Sequence, residues 1–392
     1  MTFKNFIYSL LFISGTLCAQ INTIELEENF QKIYKNSDFP GFAIGIVKND
    51  SILFSKAYGF ANVKENIPFT ENTIMPIASV SKTVIALSLA KAMELGYFDT
   101  ETPINEILPF KVLNPHHSND IIKIKHLFTH TSGIIDNEVT FINSYQLTKR
   151  PEITLGVFLE RCLSEKGQSY SQDNFDISET GSKYNYSNIA SALAAYLIEV
   201  KSKMSFDEFT QKYIFEPLEL ESTHWLYDET RSKDYAKLYE INISDLPFYK
   251  NLMNDDKSVK TYSSIIYPDG SLKTSLNDLT KYVKEIINGY NNKSQILNKE
   301  SYETIFKKRF EENNLPSNSN KNITNQAMFW SYNKKGRLTH TGSDPGVFAV
   351  ISIDLKTNIG RIVLINANID TDKNQKLLKD LKEISENLEN IE

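Results

Sequence analysis

The chain has 392 residues, of which 41% are apolar and 23% charged, with a formal net charge of −6 at pH 7. That balance is the one found in ordinary globular proteins and excludes a chain dominated by disorder. The acidic excess argues against a nucleic-acid partner, which needs a concentrated basic surface, and no repeat period marks a solenoid.

The opening stretch, MTFKNFIYSLLFISGTLCA, places Lys4 before an apolar core and ends on the small residues Cys18 and Ala19. This is the layout of a secretory signal peptide over residues 1–19, too short and wrongly flanked for a membrane span. Export to the periplasm or the extracellular space is expected. Leu17 is bulky for lipid attachment at Cys18, so a lipoprotein is not expected. Once that segment is removed, Cys162 is the one cysteine left, which excludes an intrachain disulfide and a thiolate metal cluster.

The rest, 20–392, reads as a single unit. Residues 24–36 are amphipathic, and GFAIGIVKNDSILFSKAYG, from Gly41, has two apolar runs flanking Lys48-Asn49-Asp50, a hairpin signal. Residues 82–95 predict a helix apolar on nearly every face, with Gly96 as its stop. Two more helices are predicted over 188–200 and 276–289, the second capped by Ser275 or Asn277. Near the end, GVFAVISIDLKTNIGRIVLINAN gives a second hairpin around Lys356-Thr357-Asn358. Leu377, Leu378, Leu381, Ile384 and Leu388 then fall at helical spacing, predicting a last helix on a sheet. Strands at both ends with helices between them predict an α+β fold. Its antiparallel sheet is built from about 37–75 and 335–392, and a large, mainly helical region, about 76–334, is inserted between them. A cleft along that boundary places any chemistry at the start of the 79–95 helix.

Three segments could carry that chemistry. Ser79 and Lys82 lie one helical turn apart on one face. A neutral amine there can deprotonate the serine, burial disfavours the charged lysine, and the helix N-terminus favours a developing oxyanion. The same four residues also read as a serine cap followed by a lysine reaching to solvent. Tyr186-Ser187-Asn188 stand just before a helix, where the phenol can relay protons and the amide can orient a lysine and a substrate carbonyl. Alternatively Ser187 or Asn188 is simply a cap. His340-Thr341-Gly342 open an apolar strand. Gly342 would let another backbone approach closely, Thr341 could donate to a substrate carboxylate, and the Ser343 N–H could face the cleft. A strand with an edge histidine is the alternative.

In this order and spacing the three segments resemble the serine β-lactamase and penicillin-binding-protein superfamily. The likeness is to the branch with S-x-x-K, Y-x-N and K/H-x-G, which holds class C β-lactamases, D,D-carboxypeptidases, D-aminopeptidases and related esterases. GFAIGIVKND, HLFTHTSGI (126–134), YPDGSLKTSLNDLTKYV and HTGSDPG add to it, and it spans about residues 37–368. The resemblance implies that Ser79 is the acylated nucleophile, Lys82 its base or proton conduit, and Tyr186 the relay to the leaving group. Asn188 would hold the substrate amide, and the N–H groups of Ser79 and Ser343 would form the oxyanion hole. His340 and Thr341, beside Gly342, would line the substrate's acid end. The mechanism implied is two-step covalent catalysis on a small molecule or peptide, such as a cell-wall peptide, without a cofactor.

The third element departs from the β-lactamase pattern, which has lysine where this chain has His340. An imidazole, ordinarily titrating near about 6.5, is mostly neutral at pH 7. Tyr186 is then a neutral relay, and carboxylate binding is weaker. The expectation is therefore a secreted serine hydrolase acting on a D-amino-acid peptide or small ester. A class C-like β-lactamase ranks second and a non-catalytic cell-wall-binding protein third. His126 and His130 are spaced i, i+4, but no glutamate follows His126 and zinc needs three or four converging ligands, so no metal is expected. Neither a G-x-S-x-G elbow nor a phosphate-binding glycine loop occurs.

Overall fold

In the first hairpin, β1 (Gly41–Lys48) and β2 (Ser51–Asn62) pair antiparallel with Lys48 opposite Ser51. The tight turn holds Asn49 at φ 53°, a left-handed value that asparagine tolerates. The computed structural model describes residues 23–241, 250–311, 314–369 and 375–391, and the expected signal peptide lies outside them. The main sheet also contains β3 (Ile67–Pro68), β4 (Ile323–Gln326), β5 (Ser331–Asn333), β6 (Leu338–Asp344), β7 (Val347–Asp354) and β8 (Ile359–Ile365). Its order is β3-β2-β1-β8-β7-β6-β5-β4. The two chain ends meet at its centre, where β1 and β8 run antiparallel with Ile44 opposite Val363.

The five longest helices among the described residues are α1 (Thr23–Asn36), α2 (Lys82–Glu94), α3 (Asn188–Ser202), α4 (Leu276–Tyr290) and α5 (Gln375–Glu389). On one face of the sheet, Leu26, Phe30 and Ile33 of α1 join Leu377, Ile384 and Leu388 of α5 over Phe42, Ile44 and Val363. Leu378, which helical spacing groups with that stripe, is 42% exposed. The other face carries the larger core, in which Val283 and Ile287 of α4 pack with Ile362 and Leu364. Helices α2 and α3 lie deeper in it, which explains why α2 is apolar almost all round. Ser275 caps α4, its hydroxyl accepting the Asp278 N–H at 3.2 Å. None of the described helices is long and apolar enough to cross a membrane.

Candidate active site

The chain enters α2 through a tight 3-10 turn, Ala78–Ser81. Ala78 sits at φ 45°, a region that a Cβ disfavours. Neighbouring bonds hold it there: the Ser81 hydroxyl donates to the Ala78 carbonyl at 2.6 Å and accepts the Leu272 N–H at 3.2 Å. Strand β6 passes directly beside this turn. A Cβ on Gly342 would lie 2.3 Å from the Ile77 oxygen and 3.0 Å from the Ser79 nitrogen, so only glycine permits the approach. Ser79 is thereby fixed, half-buried, against the strand that carries Ser343. It does not cap α2, whose N-cap position is Ser81.

Lys82 is fully buried. Its Nζ donates to Asn188 Oδ1 at 2.6 Å and to the Asp269 carbonyl at 2.7 Å, and it lies 3.2 Å from Ser79 Oγ. The Asp269 carboxylate is 3.9 Å away. A buried amine is costly unless fixed acceptors replace water. Two such oxygens take two of its N–H bonds, and the third tetrahedral position faces Ser79. In the neutral amine that position is a lone pair directed at the serine proton.

Asn188 is held in place from behind. The Asn188 and Ile189 N–H groups donate to Asp136 at 2.8 and 3.0 Å, and the Ser187 hydroxyl donates to the same carboxylate at 2.9 Å. Ser187 also caps α3 by accepting the Ala190 N–H at 3.0 Å. A carboxylate at a helix N-terminus is favoured by both the free N–H groups and the helix dipole. Tyr186 lies with its ring centroid 5.0 Å from Lys82 Nζ and 4.4 Å from the His130 ring. It meets Lys82 with its ring face and is 39% exposed.

His130, at φ 57°, accepts the Ser187 N–H on Nδ1 at 3.2 Å. Burial, reinforced by Lys82 and His340, drives its imidazole well below the ordinary range, which suits an acceptor. His126 accepts the Lys123 N–H at 3.1 Å, and burial with the neighbouring Lys125 pushes it down to about 4. The i, i+4 pair thus serves two separate backbone contacts. On β6, His340 Nδ1 lies 2.9 Å from the Thr341 carbonyl, and burial followed by Lys82 lowers it to about 4. Thr341 and Ser343 are exposed on the same strand, and the Ser343 hydroxyl bonds Asn368 at 3.0 Å.

The structure therefore gathers Ser79, Lys82, Tyr186 and Asn188 at one point, with Gly342 in contact and His340 within the field of Lys82. It adds acids that the sequence reading missed. Burial raises Asp269 to about 8 against the pull of Lys82. Asp344 accepts the Tyr145 and Tyr262 hydroxyls, each at 2.9 Å, and burial raises it to about 6. An aspartate set between Ile265-Ile266-Tyr267-Pro268 and Leu272 has the apolar flanks of a buried acid, which was the one available signal for Asp269. Asp136 carries no such mark.

The Beta-lactamase family profile matches residues 26–384. Protein flp of Staphylococcus aureus (strain MW2) is 25% identical over 353 residues, which are 89% of this chain and 63% of that protein. The chain thus spans less than two thirds of that relative's length. A solved class C beta-lactamase superposes with a TM-score of 0.69 at 17% identity, over 95% of this chain and 98% of that one. The D-amino acid amidase of Ochrobactrum anthropi SV3 gives 0.69 at 17% identity, over 93% and 99%. At that identity the two structures speak for the fold, an antiparallel sheet flanked by helices. With the profile spanning nearly all of it, the chain belongs to the beta-lactamase family of serine hydrolases.

Proposed function

We propose that this protein forms an acyl-enzyme on Ser79 and hydrolyses an amide or ester, namely a D-amino-acid peptide or a small ester ahead of a β-lactam. One observation carries the reading: Lys82 Nζ stands 3.2 Å from Ser79 Oγ while Asn188 and the Asp269 carbonyl take its other bonds. The serine attacks the substrate carbonyl as Lys82 takes its proton. The N–H groups of Ser79 and Ser343 hold the oxyanion, and the proton now on Lys82 passes through Tyr186 to the leaving group, which departs as the acyl-enzyme forms. Water then attacks the acyl carbon and returns the proton to Ser79. Asn188, pinned by Asp136, orients both the amine and the substrate amide. His340 and Thr341 line the far end of the substrate. A neutral His340 supplies no fixed charge for the carboxylate of a β-lactam, which favours the peptide or ester. That an amidase for D-amino acids shares the fold is in keeping with this choice. Export to the periplasm or beyond is part of the proposal and rests on residues 1–19.

The test is intact-mass measurement after incubation with D-peptides, short-chain esters, penicillins and a fluorophosphonate. The expected result is an adduct mapped to Ser79 and absent from Ser79→Ala. Folded protein that stays unmodified by the whole panel would overturn the proposal.

A further inference from the structure

Strand β6 passes the Ser79 turn from His340 to Asp344, so the two ends of the strand lie on opposite sides of the nucleophile. The His340 end, with Tyr186, is where a leaving group must collect its proton. The acyl part of a substrate must then extend toward Asp344. On that side there is a cavity of about 440 Å³, within the range of small-molecule sites. It begins next to the catalytic turn. Pro76 and Lys273, both in its wall, pair across a short ladder that leads into Ala78, and Gly270 packs against Ala78.

The charges in its wall are unbalanced. Among the described residues, Lys237, Lys260 and Lys273 line it against one carboxylate, Asp344. Both Asp344 oxygens already accept tyrosine hydroxyls, and its charge is further opposed by Lys82 and Lys273. Lys273 Nζ is held by the carbonyls of Trp225 at 2.9 Å and Ser271 at 3.0 Å, which leaves one donor position over. Lys260 Nζ donates to the Asn251 carbonyl at 2.9 Å, and Lys237 lies in the field of Asp256 outside the wall. Tyr227, Tyr235 and Tyr262 give the cavity flat apolar surface between these charges. Among the described residues, the wall on the Asp344 side of the strand thus carries three lysines, whereas the His340 end carries an imidazole lowered to about 4 beside Lys82.

Building on the serine-hydrolase reading above, we propose that this cavity is an acyl-side subsite that selects acyl groups ending in a carboxylate. The acyl stem lies along the tyrosines, and the terminal carboxylate reaches the lysines, with Lys273 as the positioned donor.

The experiment compares mono-p-nitrophenyl glutarate with p-nitrophenyl pentanoate, two esters of the same acyl length that differ in the terminal charge. The expected kcat/KM ratio favours the glutarate ester by about tenfold at low salt and shrinks as salt rises. In the double variant Lys237→Gln/Lys260→Gln the ratio falls toward one; in Lys273→Met it falls further. The double variant changes only side chains at the rim, so its result does not depend on the Lys273 anchors to Trp225 and Ser271. In parallel, calorimetry on Ser79→Ala compares monomethyl glutarate with the neutral dimethyl ester, and the monoanion should bind about fivefold more tightly. Equal turnover of both esters, or equal binding of both ligands, overturns the subsite and leaves the hydrolase intact. Selective binding of the monoanion without turnover of either ester sustains the subsite and defeats the proposed function.

Discussion

His340 stands on β6 within the field of Lys82, and burial, followed by that charge, holds its imidazole below the ordinary range. Its value of about 4 in the folded protein lies below the ordinary value of about 6.5 in an unfolded chain. Between those two values the unfolded chain binds a proton that the folded protein refuses, so acid favours unfolding. The stability tied to this ring is fully present above about pH 6.5 and is lost as pH falls toward about 4. His340→Gln removes that dependence. Urea midpoints of wild type and variant, measured at pH 7 and pH 4.5, should show the difference moving in the variant's favour at the lower pH. A difference independent of pH would mean that the ring titrates normally in the folded protein.

At the scale of elements, two short devices set the site. Asp136 gathers Ser187, Asn188 and Ile189 at the start of α3. Asp136→Ala frees three donors and should lower stability by about 1–3 kcal/mol, read as a shift in urea midpoint. It should also loosen Asn188, so labelling of Ser79 slows more than the stability loss alone accounts for. Gly342→Ala pushes a methyl into the Ile77 carbonyl and so moves β6 off the Ser79 turn. A displacement of about 1 Å at a nucleophile costs on the order of a hundredfold in rate, and fluorophosphonate labelling should show a loss of that size. The sequence marked the regular elements well, because hydrophobic periodicity, the Asn49 turn and the Ser275 cap act locally. The predicted helix over 82–95 matches Lys82–Glu94 closely. The turn before it was not legible, because the bonds that hold Ala78 at positive φ run through Ser81 to Leu272, far along the chain, as is the strand packed against it, β6.

In the whole molecule, the sheet joins both chain ends and the site forms where the inserted helices return to it. Ser79 and Lys82 were legible together because one helical turn relates them. Asn188 and Asp269 come from 106 and 187 residues further along. The Asp269 contribution is a main-chain carbonyl, for which no side chain in the sequence stands as a marker. The far face of the sheet depends on α5, tied down by buried Arg361, whose guanidinium donates to the Leu388 and Ile391 carbonyls at 2.8 and 2.6 Å. Arg361→Met keeps the apolar stem and strands both acceptors. It should cost about 1–3 kcal/mol of stability in a urea titration, with Ser79 labelling unchanged at low urea. A labelling loss in that variant would tie α5 to the site more directly than the fold implies.

In the proposed mechanism the buried amine of Lys82 takes the proton of Ser79, so the rate of covalent labelling at Ser79 depends on that amine. Lys82→Met preserves the length and apolar stem of the side chain but has no basic nitrogen. The fluorophosphonate labelling rate at Ser79, followed by intact mass at pH 7.5 on folded protein, should fall by about 10²–10⁴ relative to wild type. A Lys82→Met protein that labels at the wild-type rate would show that another group takes the serine proton.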